Sequence, residues 1–307
     1  MQRYIFIRIV QSLVTLLGVS ILVFALARLT GNALDVMLPP DTPPEVYQRT
    51  AALWGLDRPG HEQYFIFLSN AVRGNFGESF KWRGESAMGL VMHRFPATLQ
   101  LAGLALLISV ALAVPIGVLS AAHRGTWVDT FGKLIALLGQ SMPSFWLAIV
   151  LIWIFAAQLR WFPTSGQGGL EHMILPAVAM GWFSVAAFTR LVRSAMLDAL
   201  DSEYVKLARI KGLPEWKVVW KHGLKNAAIP PLTYFGLVIA SMLTGSVVIE
   251  TVFAWPGVGL LALQAVLARD YQVVQAVVLI ASAVFIFMNL VVDVLYGYLD
   301  PRLRYSS

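Results

Sequence analysis

Long uncharged apolar runs, separated by short charged clusters, dominate the pattern of the chain. A helix needs about 20 mainly apolar residues to cross a bilayer, because each residue adds only about 1.5 Å of rise. Six runs meet or approach that length: 9–27, 95–122, 134–159, 173–189, 226–249 and 271–292. The pattern therefore predicts an all-α membrane protein with six transmembrane helices.

Two further features of the pattern affect this count. The fourth run is short, but apolar residues continue to Met196, and we expect Arg190 and Arg193 to snorkel towards the headgroups at its end. A seventh uncharged run covers 251–268, yet Pro256 lies near its start and is followed by glycine. Because proline and glycine interrupt a straight helix, this run predicts a turn and a short helix at the outer surface.

The distribution of basic residues predicts the orientation. Most of the 23 Lys and Arg residues lie in the N-terminal segment, in the second and fourth connecting loops and in the C-terminal tail. Cytoplasmic segments of membrane proteins are enriched in Lys and Arg, so both termini are predicted to be cytoplasmic. A seventh span would place Arg302 and Arg304 outside.

This topology divides the chain into four predicted segments. Residues 1–30 form an N-terminal transmembrane helix, whose apolar stretch is longer than the roughly 7–15 residues of a cleaved signal-peptide core. Residues 31–93 form a polar extracytoplasmic region of turns and short helices. Residues 94–300 form a transmembrane domain of five helices, and 301–307 form a cytoplasmic tail.

Composition supports a membrane protein. Hydrophobic residues make up 58% of the chain and charged residues only 13%, about half the share of a soluble domain. The formal charge of +6 is explained by basic cytoplasmic loops, and no nucleic-acid partner is expected. The chain has no cysteine, which excludes disulfides and thiolate metal sites, and its five histidines are dispersed. No metal site is predicted.

The fourth connecting loop, 198–225, has a distinct pattern. Asp201 and Ser202 are favourable N-cap residues, and a short helix is predicted to follow over 203–211. Four residues recur at helical spacing on this helix: Tyr204, Leu207, Ala208 and Lys211. Gly212 is placed to end it.

A second helix is predicted to begin near Glu215. Its residues form an apolar stripe and a basic one: Trp216, Val219, Trp220 and Gly223 on one face, Lys217 and Lys221 on another. Such a helix pair can rest on anionic headgroups, with Trp and Lys as anchors. The caps, the acidic start and the glycine break are instead typical of a rigid bracket on another protein. Residue chemistry alone leaves both interpretations open.

An ordered series of motifs resembles one family across nearly the whole chain. The loop contains DSEYVKLARIKGL at 201–213 and KHGLKNAAIP at 221–230. The other motifs are LDRP at 56–59, GNFG at 74–77, RFPATL at 94–99, SMPSF at 141–145, ETVFAWPGVG at 250–259, RDY at 269–271 and DPR at 300–302. Together they resemble bacterial ATP-binding-cassette importer permeases, and more narrowly the B type of the dipeptide/oligopeptide/nickel family.

The resemblance implies a type I importer permease fold in the bacterial inner membrane, with a cytoplasmic coupling helix seated on an ATPase. The residues it assigns to ATPase docking are Glu203, Tyr204, Leu207, Ala208, Lys211 and Gly212, with Gly212 as the elbow. The sequence departs from the general Glu-Ala-Ala motif, since Lys206 and Leu207 precede Ala208. Permeases of this subfamily also lack that glutamate.

The resemblance also implies the partners. These are a homologous permease subunit of the C type, two cytoplasmic ATPase subunits, an extracytoplasmic solute-binding protein and the lipid bilayer. The chain contains no phosphate-binding Gly-x-x-x-x-Gly-Lys-Ser/Thr loop, so we expect it to be a transport subunit without an ATPase site of its own. It is expected to bind no cofactor, while the partner subunits hydrolyse ATP with Mg²⁺.

A few polar residues lie inside the predicted spans: Gln140, Ser141, Gln275 and Asn289. Polar groups in spans often line a pathway, but hydrogen bonding between helices also explains them and is the favoured interpretation. Asp293 lies near the inner end of the last span, where a functional and an interfacial structural role are both open.

Other functional classes are less well supported. An ion-driven secondary transporter typically has buried ionisable groups at the membrane midplane, and five of the six predicted spans have none there. A membrane enzyme would need an acid–base pair or an activated nucleophile, and no such spacing occurs. For the permease, a peptide-like solute is expected, with a nickel complex or another small solute as the alternative.

Overall fold

The computed structural model describes residues 2–29, 34, 38–39, 41–53, 55–243 and 247–299. In these ranges the chain is helical apart from turns and one isolated antiparallel bridge between Glu78 and Ser86. The predicted tail 301–307, with Arg302 and Arg304, and the DPR motif at 300–302 lie outside the described residues. The predicted all-α fold class is thus what the described part of the chain adopts.

The described α-helices have the following bounds, in chain order: α1 Gln2–Leu29, α2 Pro44–Leu53, α3 Gly60–Val72, α4 Ala87–Ala122, α5 Trp127–Ser141, α6 Ser144–Leu151, α7 Leu170–Leu200, α8 Glu203–Ile210, α9 Glu215–Lys217, α10 Leu224–Ala227, α11 Ile229–Leu243, α12 Val247–Val252, α13 Val258–Leu267 and α14 Tyr271–Leu299. Two π-helical segments continue the α-helices before them: Ile152–Gln158 after α6 and Val218–Gly223 after α9.

Four of the predicted spans correspond to single helices. Segments of α1, α4, α7 and α14 are each long and apolar enough to cross a membrane: Ile5–Leu29, Ala87–Ala122, Leu170–Leu200 and Tyr271–Val294. These are the first, second, fourth and sixth runs of the sequence pattern. The helices extend beyond the uncharged runs because a helix continues into the interface as long as its backbone hydrogen bonds are satisfied.

The third predicted span is not one straight helix. α5 ends at Ser141, and the next helix begins at Ser144 after a bend of 108°. Pro143 lies at the break, and its ring nitrogen has no hydrogen to donate back into α5. Residues 134–159 therefore do not form one straight helix, as the uncharged run had suggested. The apolar composition of a run does not show where a proline bends the helix.

The fifth predicted span is only partly covered by the description. α11 supplies 15 residues, and α12 begins at Val247, while residues 244–246 lie outside the described ranges. Fifteen helical residues rise about 22 Å, which is less than the roughly 30 Å hydrocarbon core. The described helices therefore account for four spans, or five with the bent pair, and the sixth stays a prediction.

The chain divides into two compact units, of which the first comprises Met1–Thr98 and Pro256–Ser307. In this unit α1 and α13 pack against α14. The predicted turn and short helix are confirmed, since Gly257 occupies the N-cap position of α13. The core of the unit consists of Ala87, Val91, Val258, Leu261, Ala265, Val273, Ala276 and Val277.

The start of α14 is fastened by a buried acid, which explains part of the RDY motif. Asp270 is fully buried, and its Oδ1 accepts a hydrogen bond from the backbone amide of Val273 at 3.3 Å. Its Oδ2 accepts from the Ser79 hydroxyl and from the Lys81 amide. One carboxylate thus caps a helix and holds the loop before α4.

The second unit, Leu99–Trp255, is built around α7. Small residues allow its neighbours to approach closely. A Cβ at Gly139 of α5 would lie 2.4 Å from the Cβ of Ala186, and the Gly181 carbonyl of α7 accepts a hydrogen bond from Ser109 of α4. Small residues at helix contacts are typical of membrane proteins, where van der Waals packing supplies much of the association energy.

Candidate functional site

The junction between α7 and α8 is a tight turn. α7 ends at Leu200, Asp201 occupies its C-cap position, and extended Ser202 precedes α8. The Ser202 hydroxyl donates to the Ala199 carbonyl instead of accepting from an α8 amide. The predicted side-chain N-caps are therefore not formed, because the Ser202 hydroxyl is engaged with the Ala199 carbonyl, which also accepts from the Ser202 amide at 3.2 Å.

α8 has a buried face and an exposed face. Val205 is fully buried and Ala208 is 7% exposed, and both belong to a core with Val192, Met196 and Val218. This core joins α8 to the end of α7 and to the π-helical segment Val218–Gly223. Ala208 therefore points inwards, and its predicted contact with a partner does not fit this burial.

The exposed side of α8 carries three large apolar or aromatic side chains among charged ones. Tyr204 is 42% exposed, Leu207 is 51% exposed and Ile210 is 81% exposed. Glu203 and Lys211 at the two ends are exposed as well, and Glu203 forms an ion pair with Lys206. We refer to Tyr204, Leu207 and Ile210 as the α8 face. Ile210 was not among the residues predicted to dock, although its spacing from Leu207 indicated the same side of the helix.

Gly212 forms the bend after α8. Its φ is +74°, in the left-handed region that glycine enters without steric cost, and its amide donates to the Arg209 carbonyl at 2.9 Å. A Cβ at this position would have no atom within 4 Å. The glycine is therefore required by backbone conformation and not by packing.

An ion pair spans this bend. Arg209 Nη2 lies 2.7 Å from Glu215 Oε1, Arg209 Nε lies 3.2 Å from both carboxylate oxygens, and Nη1 reaches the Leu200 carbonyl at 3.4 Å. Hydrogen bonding by the guanidinium lowers the pKa of Glu215 below its ordinary value, and the carboxylate raises the pKa of Arg209. The pair is thus intact at neutral pH and is lost only when acid protonates Glu215.

The helix after the bend does not follow the predicted stripe. Trp216 is 63% exposed and Trp220 is 39% exposed, whereas Val218, Val219 and Gly223 are buried. The segment 218–223 is π-helical, so its side chains repeat at a wider spacing than in an α-helix. The predicted stripe assumed 3.6 residues per turn, which placed Val219 on the same face as the tryptophans.

A buried cluster fastens α7 two turns before its end. The Asp129 side chain is 1% exposed, and its carboxylate binds Arg193 through Nε at 2.7 Å and Nη2 at 3.0 Å. It also accepts from Lys133 Nζ at 2.9 Å and from the Ser120 hydroxyl at 2.7 Å. Arg193 is thus neutralised by a carboxylate 64 residues away in the sequence, an ion pair that was not predicted, and its snorkelling stays a prediction.

The four predicted pathway residues fall into two separate groups. Gln140 and Ser141 end α5 in the second unit, while Gln275 and Asn289 lie on α14 in the first. Gln140 Oε1 accepts a hydrogen bond from Arg190 Nη1 at 3.0 Å. The Ser141 hydroxyl donates to the Leu137 carbonyl of its own helix at 2.9 Å. The hydrogen bond between Arg190 and Gln140 was not predicted from the sequence.

Asn289 lines a cavity of about 440 Å³ in the first unit, together with Arg8 and Asp293. Arg8 Nε lies 3.3 Å from Asp293 Oδ2, which ties α1 to α14 near the predicted inner membrane surface. This ion pair favours the structural of the two roles left open for Asp293.

The family of the chain follows from comparison with known proteins. Residues 113–305, which cover the end of α4 and all of α5 to α14, match the family described as "Binding-protein-dependent transport system inner membrane component". The Bacillus subtilis (strain 168) oligopeptide transport system permease protein AppB is 36% identical over 99% of this chain and its own full length.

Two further relatives are equally extensive. The di/tripeptide transport system permease protein DppB of Pseudomonas aeruginosa (strain UCBPP-PA14) is 38% identical over 95% of this chain and 96% of that protein. The glutathione transport system permease protein GsiC of Escherichia coli (strain K12) is 39% identical over the full length of both. The motifs that carried the resemblance therefore belong to a similarity along the whole chain.

Solved structures match the fold. The MetNI methionine ABC transporter aligns with a TM-score of 0.58 at 16% identity, over 69% of this chain and 97% of that one. An amino acid ABC transporter with histidines aligns with a TM-score of 0.52 at 18% identity, over 69% and 94%. Whole-length similarity to permeases and an ABC-transporter membrane fold lead to one conclusion: the chain belongs to the family of binding-protein-dependent transport system inner membrane components.

Proposed function

We propose that this chain forms half of the translocation pathway of an ATP-binding-cassette importer for a peptide-like solute, and that α8 is its coupling helix. The observation that carries the proposal is the α8 face, an exposed apolar surface on a short helix that is rigidly joined to a span. Both termini and α8 are assigned to the cytoplasm, in line with the distribution of basic residues.

The attachment of α8 suits a lever. Val205 and Ala208 pack into the core at the end of α7, and the Arg209–Glu215 pair holds the bend at Gly212. A force applied to α8 would therefore move the end of α7 with it, because packed interiors transmit displacement without yielding. An interfacial anchor would need no such connection to a span.

The exposed side of α8 suits a protein socket. Its three apolar side chains recur at helical spacing, which is how an amphipathic helix presents itself to a hydrophobic groove. We assign docking to Tyr204, Leu207 and Ile210, with Glu203 and Lys211 at the rim. Ala208 and Gly212 act from within, the first by packing and the second by setting the bend.

The partners follow from this assignment. Two ATPase subunits would bind and hydrolyse ATP with Mg²⁺, since the chain has no phosphate-binding loop and is assigned no catalysis of its own. A second, C-type permease would complete the pathway, and an extracytoplasmic binding protein would deliver the solute. The names of the relatives favour a peptide over the nickel complex considered as the alternative.

Reconstitution tests the function. The chain is co-expressed with its neighbouring permease and ATPases, placed in proteoliposomes with the binding protein outside, and supplied with labelled dialanine or glutathione. We expect uptake of at least one of the two solutes only when the lumen contains Mg-ATP. Equal uptake by the purified chain alone, driven by a proton or sodium gradient, would overturn the proposal.

A further inference from the structure

An open cavity, lined mainly by apolar surface, lies in the second unit beside the C-terminal half of α7. Its volume is about 430 Å³. It is lined by residues of α5, α7 and α11: Gln140, Phe183, Ala187, Arg190, Leu191, Ser194 and Tyr234. Among the described residues, Arg190 is the one charged residue that lines it, and it lies on α7, which is long and apolar enough to span a membrane. Arg190 is exposed in this chain, so its guanidinium is open to a ligand that enters the cavity.

Arg190 differs from the other arginine nearby on the same helix. Arg193, one turn further on, is neutralised by the buried carboxylate of Asp129. In the part of the chain that the structure describes, Arg190 forms no ion pair, and its hydrogen bond is to the neutral amide oxygen of Gln140. Its positive charge is therefore not compensated within these residues.

The surroundings hold the guanidinium in the cavity. Gln140 accepts one hydrogen from Arg190 Nη1 and leaves the other donors of the planar fork available to a ligand. Tyr234 is fixed by an edge contact with Phe188, at 5.0 Å between ring centroids. Phe183 and Leu191 form an apolar part of the cavity wall beside these polar groups. A ligand with one anionic end and an apolar body would match this arrangement.

We propose that Arg190, oriented by Gln140, binds the terminal carboxylate of the peptide-like solute as it passes through this cavity. The proposal rests on the proposed function, which supplies a solute with that group. An arginine fork binds a carboxylate through two parallel hydrogen bonds, which is stronger and more directional than a single contact. Because no carboxylate among the described residues pairs with Arg190, the solute would supply its counter-ion.

Thiol protection tests the site without relying on transport. The chain has no cysteine, so Ser194→Cys places a single thiol in the cavity, one turn from Arg190. Neutral N-ethylmaleimide is the label, so that changing the charge at position 190 does not alter its approach. In the assembled transporter, dialanine is expected to slow labelling at least threefold, while dialanine with a C-terminal amide leaves the rate unchanged.

Variants at position 190 sharpen the result. Arg190→Gln in the Ser194→Cys background should abolish protection, Arg190→Lys should raise the half-protecting concentration at least tenfold, and Arg124→Gln, at an exposed arginine outside the cavity, should change nothing. Equal protection by the peptide and its amide would overturn the inference, as would unchanged protection in Arg190→Gln. Loss of the partner permease from Arg190→Gln with protection unaltered would assign the charge to a subunit contact instead.

The same preparation separates this inference from the proposed function. If the subunits co-purify and take up dialanine with ATP, but Ser194→Cys is not protected by dialanine, the carboxylate site is wrong and the permease function stands. If the ATPases do not associate with the chain at all, the proposed function fails.

Discussion

Leu207→Asp and Ile210→Asp are each expected to abolish association with the ATPase subunits and, with it, ATP-driven uptake. Both side chains are exposed in the chain, so an aspartate there should not disturb the packing of α8 on α7. In a docked interface the same aspartate would be buried without a partner. Truncating or charging such a central apolar residue costs about 2 kcal/mol or more, which is roughly a 30-fold loss of affinity.

Co-purification with the tagged ATPases measures this effect, and uptake by proteoliposomes measures its consequence. Val46→Asp is the matched control, since Val46 of α2 is an exposed aliphatic residue of similar accessibility in the predicted extracytoplasmic region. It should retain the ATPases at the wild-type level. Full ATPase recovery by both α8 variants would show that the α8 face is not a docking surface.

Asp129→Ala is expected to produce the largest loss of stability. Removing the carboxylate leaves Arg193, which is 20% exposed, without its ionic partner, and it also removes the acceptor of Lys133 and Ser120. Breaking a buried ion pair in this way costs about 3–5 kcal/mol. The melting temperature of the solubilised chain should fall by roughly 6–12 °C.

Asp198→Ala is the control for Asp129→Ala, because Asp198 is an exposed carboxylate near the same end of α7. Its melting temperature should stay within about 2 °C of the wild type. Asp129→Ala combined with Arg193→Met should recover part of the loss, since the second change removes the unpaired charge. Identical melting temperatures for Asp129→Ala and Asp198→Ala would contradict the stabilising role of the Asp129–Arg193 ion pair.

The sequence pattern was sufficient to predict most of the helices that are long enough to span a membrane, and also the short helix α8. Uncharged runs predict spans because unpaired charge is expelled from lipid, and this rule needs no knowledge of tertiary contacts. The end of α8 before Gly212 followed from a local rule, since a left-handed glycine acts within a few residues. The start near Glu203 was also predicted, although the side-chain caps on which that prediction relied are not formed.

What the sequence did not predict depends on contacts between distant residues. The pairing of Asp129 with Arg193 and of Gln140 with Arg190 joins helices whose relative rotation no local pattern specifies. The inward side of Ala208 likewise depends on where α8 meets the end of α7. Pro143 was present in the sequence, but the bend of the helix there was not predicted, because the length of the apolar run dominated the prediction.

A single cysteine introduced by Ile210→Cys tests the central claim most directly, because the native chain contains no cysteine. Membrane-impermeant maleimide is applied to right-side-out and inside-out vesicles, with and without bound ATPase subunits. If α8 is a cytoplasmic coupling helix, Ile210→Cys is labelled only in inside-out vesicles, and the bound ATPases reduce its labelling rate at least tenfold. Labelling from the extracytoplasmic side, or a rate that the ATPases leave unchanged, would contradict this account.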